Sequence, residues 1–407
     1  MSRTSRREPD FSFKFAEFFA GIGLMRLGLE RSEDGWECAF ANDLDEMKRR
    51  IYAGHFGCSV AEVDGTDVHV LPAELVPKVD LATASFPCTD LSIAGAQAGI
   101  RSGESSAVWG FHRVLEEMGP ERRPPLVLLE NVVGFLTAHG GRDFRDALQA
   151  LNQLGYRVDP FILDARWFVP QSRQRMFVVG IDPRLAQGDD GASVTESRIR
   201  PSRLVSFIQE HVNEIDWNIR SLPDPPLQSE RKLSDIIQDP SDGHEDWWDE
   251  SRVEYLYNQM FPRHQEWVEK SRHAAMYRYA TAFRRVRPQG DGTKRSMAEL
   301  RTDGVAGCLR TPKGGSGRQI VVRVGYGRMD ARLLSAAECA SLMGADGYRM
   351  VGTLNQALFG FGDAVCVDAV SWIAKNYLAP LLQLAKGERK PYSDANERTA
   401  VPAATTS

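Results

Sequence analysis

Three short stretches carry residue types able to do chemistry. Pro87-Cys88 closes the apolar run VDLATASF and is followed by small residues, among them Ser92, Ala94, Gly95, Ala98 and Gly99. A thiol becomes a nucleophile when it is partly exposed in a positive or donor-rich setting, and a loop of this composition can close over a substrate to provide one. On its own, a single cysteine also fits inert packing. Glu130 ends the apolar run PPLVLLEN, where a partly desolvated carboxyl can act as an acid or hydrogen-bond donor, or simply cap a turn. Gln171, Arg173 and Arg175 alternate after Pro170, so on an extended chain they face one way. Two guanidiniums on one side suit an anion, a phosphate or a base edge, and equally an ordinary solvated charge pair.

A second set of residues suits an adenosine-containing cofactor. Phe18-Phe19-Ala20-Gly21-Ile22-Gly23 follows a strand pattern and opens a helix pattern, and its glycines let backbone approach a ligand. Asp43 ends the next strand pattern, where a carboxylate can accept both hydroxyls of a ribose, and Asp67 is placed to meet an adenine amine. A tight turn and a helix-capping aspartate are the plainer reading. The six cysteines (38, 58, 88, 308, 339 and 366) form no CxxC pair, so free thiols in a reducing compartment are expected, and no metal site.

The elements that must position these residues follow from the apolar pattern. Six short runs, FKFAEFF, WECAFAND, VDLATAS, PPLVLLEN, YRVDPFILDA and RMFVVGI, alternate with helix-like segments near 24–32, 44–55, 107–119 and 143–154. That rhythm predicts an α/β fold, a mostly parallel sheet with helices on both faces and ligands at the carboxyl ends of its strands. At 407 residues, two structural units are expected. The reading is a first part of a catalytic domain at 11–185, an inserted unit at 186–331, a return segment at 332–386 and a disordered tail at 387–407.

Composition, 42% hydrophobic and 26% charged, is that of a soluble globular protein. The basic N-terminus is not followed by the apolar stretch of a secretory signal, and no membrane span is expected. Net charge is −5, so a nucleic-acid partner would need a local positive field. Residues 263–332 provide one, with sixteen Lys or Arg against six Asp or Glu, whereas 229–256 hold nine acidic and three basic residues. Trp247 and Trp248 fall in the acidic stretch and read as packing.

In chain order, FFAGIGLMRLGLE, FPC, ENV, QSRQR and GFGDAV, with a long insertion after the fourth, resemble the DNA (cytosine-5)-methyltransferases of bacterial restriction-modification systems over nearly the whole length. The resemblance implies a Rossmann-like, S-adenosylmethionine-dependent methyltransferase sheet with a smaller inserted target-recognition domain. It implies that Cys88 adds to carbon 6 of a flipped-out cytosine, that Glu130 holds ring nitrogen 3, and that Arg175 binds the base carbonyl with Arg173 beside it. Phe18, Ala20, Gly21, Ile22, Gly23, Asp43, Leu44, Asp67, Val68, Pro87, Asp363, Ala364 and Val365 would hold the cofactor, Phe18 lying against the adenosine. Thr89 and Ser92, on the lid 89–103, with Gln171, Arg284, Arg285, Arg287 and Arg310, would contact double-stranded DNA. The implied protein is a cytoplasmic monomer, compatible with a cognate restriction endonuclease acting separately.

Four positions depart from the family pattern: Thr89 stands for glutamine, Cys308 for threonine, Ala337 for arginine and Asp363 for asparagine. Arg332 and Glu338 fit the motif that braces the recognition region. Two other readings are a tRNA methyltransferase on the same scaffold, against which the large basic insertion argues, and a non-catalytic DNA-binding relative.

Overall fold

The structure, a computed structural model, describes residues 13–87, 107–288, 293–312 and 317–385. Its first half contains β1 (Phe13–Phe18), α1 (Leu24–Arg31), β2 (Trp36–Asn42), α2 (Glu46–Phe56), β3 (Leu81–Ala84), α3 (Ala107–Arg122), β4 (Leu126–Val132), α4 (Arg142–Gln153), β5 (Arg157–Asp164) and β6 (Gln174–Ile181). These strands form one sheet in the order β2-β1-β3-β4-β6-β5. The first four run parallel, and β6 lies antiparallel between β4 and β5.

Both faces of this sheet are covered, which is why its strands read as nearly continuous apolar runs. Phe13, Phe15, Leu128, Phe177 and Val179 share one core with α1 and the C-terminal helices. Ala16, Phe18, Val127, Leu129 and Val178 share the other with α3, α4 and α5 (Ser202–Glu210). Each fully buried Leu, Val or Phe contributes roughly 1.5–3 kcal/mol, so the two cores supply most of the driving force. The segment after Ile181 stays on the large sheet: Trp217 is buried in the second core and bridges to Val158 of β5.

The chain then forms α6 (Leu233–Ile236), α7 (Glu250–Asn258), α8 (Pro262–Arg272), β7 (Arg278–Pro288), β8 (Lys294–Arg301), β9 (Ile320–Gly325) and β10 (Arg328–Leu333). The last four make an antiparallel sheet, β10-β9-β7-β8, with its own core of Leu256, Val268, Ala280, Val322 and neighbours. The acidic and basic stretches meet here. Arg323, 2% exposed, reaches Asp239 (2.8 Å), Asp242 (2.6 Å) and Asp330 (2.8 Å) while lying over the Trp247 ring. A buried guanidinium needs such partners, because removing them leaves an uncompensated charge.

The C-terminal part consists of α9 (Ala336–Leu342), α10 (Leu354–Asp363), α11 (Val367–Ile373) and, through a π turn, α12 (Ala379–Ala385). Residues 354–385 are long and apolar enough to cross a membrane by length and composition, although no membrane span is expected from the sequence. Their apolar surface packs on the large sheet beside α1, as a core helix does.

Candidate active site

A cleft of about 690 Å³ opens at the carboxyl ends of β1, β2, β3 and β4, the place such sheets reserve for ligands. Ala20, Gly21, Ile22, Asp43, Leu44, Asp67, Val68, Pro87, Glu130, Arg175, Asp363, Ala364 and Val365 all line it. The strand ladders explain why these distant residues converge. Val132 of β4 lies opposite Arg175 of β6 and Glu130 opposite Phe177, so Glu130 and Arg175 are diagonal neighbours on one face. Their side chains make an ion pair of 3.0 Å, both well shielded from water.

The turn after β1 is built for close approach. Gly21 sits at φ +59°, and a Cβ there would meet nothing nearer than 3.9 Å, so its open side belongs to the cleft. The Gly21 N–H donates to Asp43 Oδ2 (2.7 Å) and the Asp45 N–H to Oδ1 (2.8 Å), which fixes the carboxylate with acceptor capacity left over. Burial pushes the Asp43 carboxyl up, and the Lys48 charge offsets part of that. Asp67 accepts from the His69 backbone (2.9 Å) and ring, which holds its carboxyl below the usual range.

Asn131, absent from the expected site, ties the two halves of the cleft together. Its amide donates to the Phe86 carbonyl (3.2 Å), while its oxygen accepts from the Val132 N–H (2.8 Å). The end of β4 thus anchors the backbone just before Pro87. Cys88, Thr89, Ser92 and the lid 89–103 lie outside the described residues.

Four expected contacts are placed elsewhere. Phe18 is 1% exposed, its ring between Phe40 (5.7 Å) and Phe111 (4.9 Å) in the core, while Phe19, at φ 55°, lines the cleft instead. Strand alternation turns position 18 toward α3, and the left-handed turn re-aims position 19. Gly23 packs against α2, where a Cβ would come within 2.4 Å of the Phe56 ring. Gln171 is fully buried and cannot touch DNA: its amide donates to the Leu342 carbonyl (2.7 Å) and its oxygen accepts from the Leu309 N–H (2.9 Å). Arg173, 2% exposed, donates to the carbonyls of Leu309 (2.9 Å), Gly362 (3.0 Å) and Ala364. It braces the cleft wall from behind. The alternation argument fails here because β6 begins only at Gln174, leaving residues 171–173 outside that strand, with Gln171 in an isolated bridge to Ala306.

On the small sheet, Arg284 lies over Trp248 and Tyr255, both 5.6 Å from the ring centres. Arg285 and Arg287 share Glu299, at 3.7 Å for the first. Arg310 is exposed next to Gly362, where a Cβ would come within 2.6 Å of the 310–311 backbone, so only glycine lets that backbone pass. Arg332 and Glu338, both buried, form a two-pronged pair at 2.8 and 2.6 Å, and Glu338 also accepts from the Gln238 N–H. Cys308 takes a hydrogen bond from Arg173 (3.3 Å); burial would raise its thiol pKa, but Arg173, Arg175 and Arg310 together draw it below the usual value.

The cleft fits S-adenosylmethionine by its chemistry. Asp43, Asp45, Asp67, Glu130 and Asp363 line it, a surplus of carboxylates that suits a ligand bearing a sulfonium and an ammonium. The Ser85 hydroxyl, buried on the same wall, has no hydrogen-bond partner among the described residues.

Known proteins resemble the chain in the same sense. The Type II methyltransferase M.BanI of Aneurinibacillus aneurinilyticus is 29% identical over 232 residues, 55% of this chain and 51% of that protein. M.HgiCI of Herpetosiphon aurantiacus is 35% identical over 173 residues, 42% of this chain and 39% of that protein. The chain thus spans about half the length, or less, of these curated relatives. The Entamoeba histolytica methyltransferase EhMeth superposes with a TM-score of 0.61 at 14% identity, covering 92% of this chain and 99% of that one. The S. pombe Dnmt2 methyltransferase gives 0.57 at 16%, with the same coverage. At those identities the likeness is one of fold. The profile of the C-5 cytosine-specific DNA methylases matches residues 13–379, nearly the entire described chain, and the protein belongs to that family.

Proposed function

We propose that this protein transfers a methyl group from S-adenosylmethionine to carbon 5 of a cytosine flipped out of duplex DNA. The observation that carries the reading is the single cleft shared by Pro87, the Glu130–Arg175 pair and the Gly21–Asp43 turn. S-adenosylmethionine, when bound, supplies an electrophilic methyl group. Gly21 and the Asp43 carboxylate would hold it, with Asp67 toward the adenine and Phe19 in the place expected for Phe18.

Carbon 5 of cytosine is a poor nucleophile until a thiolate adds to carbon 6. Cys88 follows Pro87 directly and is the nucleophile of this reading. Glu130 donates its proton to ring nitrogen 3, which takes up the electron density pushed there by the addition, and recovers that proton when the ring is restored. Arg175 orients that carboxyl through the ion pair and is placed to bind the base carbonyl. Once carbon 5 is methylated, loss of its proton expels the Cys88 thiolate and restores the aromatic ring, so the protein emerges unchanged. Extruding the base costs a few kcal/mol of stacking, which phosphate contacts from the small sheet offset. Arg284, Arg285, Arg287 and Arg310 are the proposed contacts, and the modification half of a restriction system is the proposed setting.

The test is transfer of labelled methyl from S-adenosylmethionine to duplex DNA and to tRNA, side by side. Label in DNA, located at cytosine carbon 5 by bisulfite sequencing, supports the reading. Label confined to tRNA would replace it with the RNA-modifying alternative, and label in neither would leave a non-catalytic relative.

A further inference from the structure

The cleft has a charge problem at one end. Of the six acidic side chains lining it, burial holds Glu17 toward its neutral form, which leaves five carboxylates, and among the described lining residues only Arg175 and Lys48 carry permanent positive charge. Arg175 is committed to Glu130 at the base end. Lys48 comes from the first turn of α2, four-fifths shielded from water, and its ammonium lies 2.8 Å from Asp363 Oδ2, the last residue of α10. Burial opposes the lysine's charge, but Asp363 and then Asp43 outweigh it and hold the ammonium above the usual lysine range.

This bridge joins the two walls of the cleft across 315 residues of sequence. It also sits where two sources of negative charge coincide: the Asp363 carboxylate and the C-terminal end of the ten-residue helix α10, whose unpaired carbonyls add partial negative charge. In the proposed reading, the amino-acid end of S-adenosylmethionine would bring a carboxylate of its own to the wall formed by Gly21, Asp363 and Ala364. An aspartate there, unaccompanied, would repel it; the cationic remainder of the cofactor would be welcome regardless.

Resting on the reading of the cleft as an S-adenosylmethionine site, we propose that Lys48 is its specificity-determining residue for the amino-acid end. It cancels Asp363 and the end of α10, and so admits a carboxylate into an otherwise acidic cleft. Lys48 and Asp363 therefore act as one unit, and losing the lysine harms binding only while the aspartate remains.

Calorimetric titration of the full chain with S-adenosylhomocysteine and with 5′-methylthioadenosine, which has the nucleoside but no amino-acid end, separates the effects. Lys48→Met should weaken S-adenosylhomocysteine by about 10- to 50-fold and leave 5′-methylthioadenosine within about twofold. Lys48→Met/Asp363→Asn should return S-adenosylhomocysteine to within about threefold of wild type. Equal losses for both ligands, an unchanged S-adenosylhomocysteine affinity in Lys48→Met, or no recovery in the double variant would overturn the proposal. Wild-type protein that binds neither ligand would instead overturn the reading of the cleft on which it rests.

Discussion

At the scale of single residues, the site depends on side chains that fix other side chains. Asn131 holds the Phe86 carbonyl and so sets the path of the backbone into Pro87 and the nucleophile that follows. Loss of a buried hydrogen bond costs about 1–3 kcal/mol, and misplacing a nucleophile by about 1 Å can cost 10²-fold in rate. Asn131→Ala should therefore lower kcat by about ten- to a hundredfold with little change in S-adenosylhomocysteine affinity, as read by single-turnover methylation and titration. Equal effects on both would mean that Asn131 merely supports the whole cleft. The motif ENV drew attention to Glu130, yet the amide beside it shows its role only once β4 and the Phe86 strand end are side by side. The two phenylalanines show the same limit. Local sequence predicts a turn after β1, but which ring enters the cleft depends on the left-handed conformation of Phe19, and that conformation is set by the fold.

At the scale of elements, buried polar groups tie strands to helices, and their chemistry gives two predictions. Glu17, near the end of β1, accepts from the Arg26 N–H of α1 (3.2 Å) and the Tyr52 hydroxyl of α2 (3.3 Å). Burial pushes its carboxyl from 4.5 up to about 8. Between those values the folded protein keeps a proton that the unfolded chain has lost, so stability falls as pH rises and levels off above about 8. The slope contributed by Glu17 is at most about 1.4 kcal/mol per pH unit. Thermal melts from pH 5 to about 8.5 should show wild type losing stability relative to Glu17→Gln, and a constant difference would contradict this. Arg173 joins the segment before β6 to residues 309, 362 and 364, so Arg173→Ala strands three carbonyls and should lower unfolding free energy by about 3 kcal/mol or more in urea titrations. A change within about 0.5 kcal/mol, typical of an exposed site, would show that the brace is dispensable. The six strands and four helices of the first half were legible because apolar periodicity and turn residues mark them. The roles of Gln171 and Arg173 were not, since a motif records that residues recur together without saying whether they face a ligand or the core.

At the scale of the molecule, an acidic chain presents a basic sheet, and the balance between the two is tunable. Glu299 occupies Arg285 and Arg287, which removes part of the field offered to a phosphate backbone. Glu299→Gln should tighten binding to non-cognate duplex and steepen its dependence on salt by about one released counterion, measured by fluorescence anisotropy from 50 to about 200 mM salt. An unchanged slope would mean that this edge of the sheet does not meet DNA. Composition located the basic region at 263–332, but the way Arg323 and Arg328 are drawn into pairs with Asp239, Asp242 and Asp330 required the tertiary fold. The central claim, that this architecture exists to present one sulfur to a cytosine, is tested most directly by trapping. Duplex carrying 5-fluorocytosine at the modified position cannot lose the carbon 5 substituent as a proton, so the thiolate cannot leave after methylation. The account predicts a covalent protein–DNA adduct that mass spectrometry maps to Cys88 and that Cys88→Ser fails to form. Methylation of ordinary duplex by a Cys88→Ser variant, or by wild type that leaves no adduct on the fluorinated site, would contradict it.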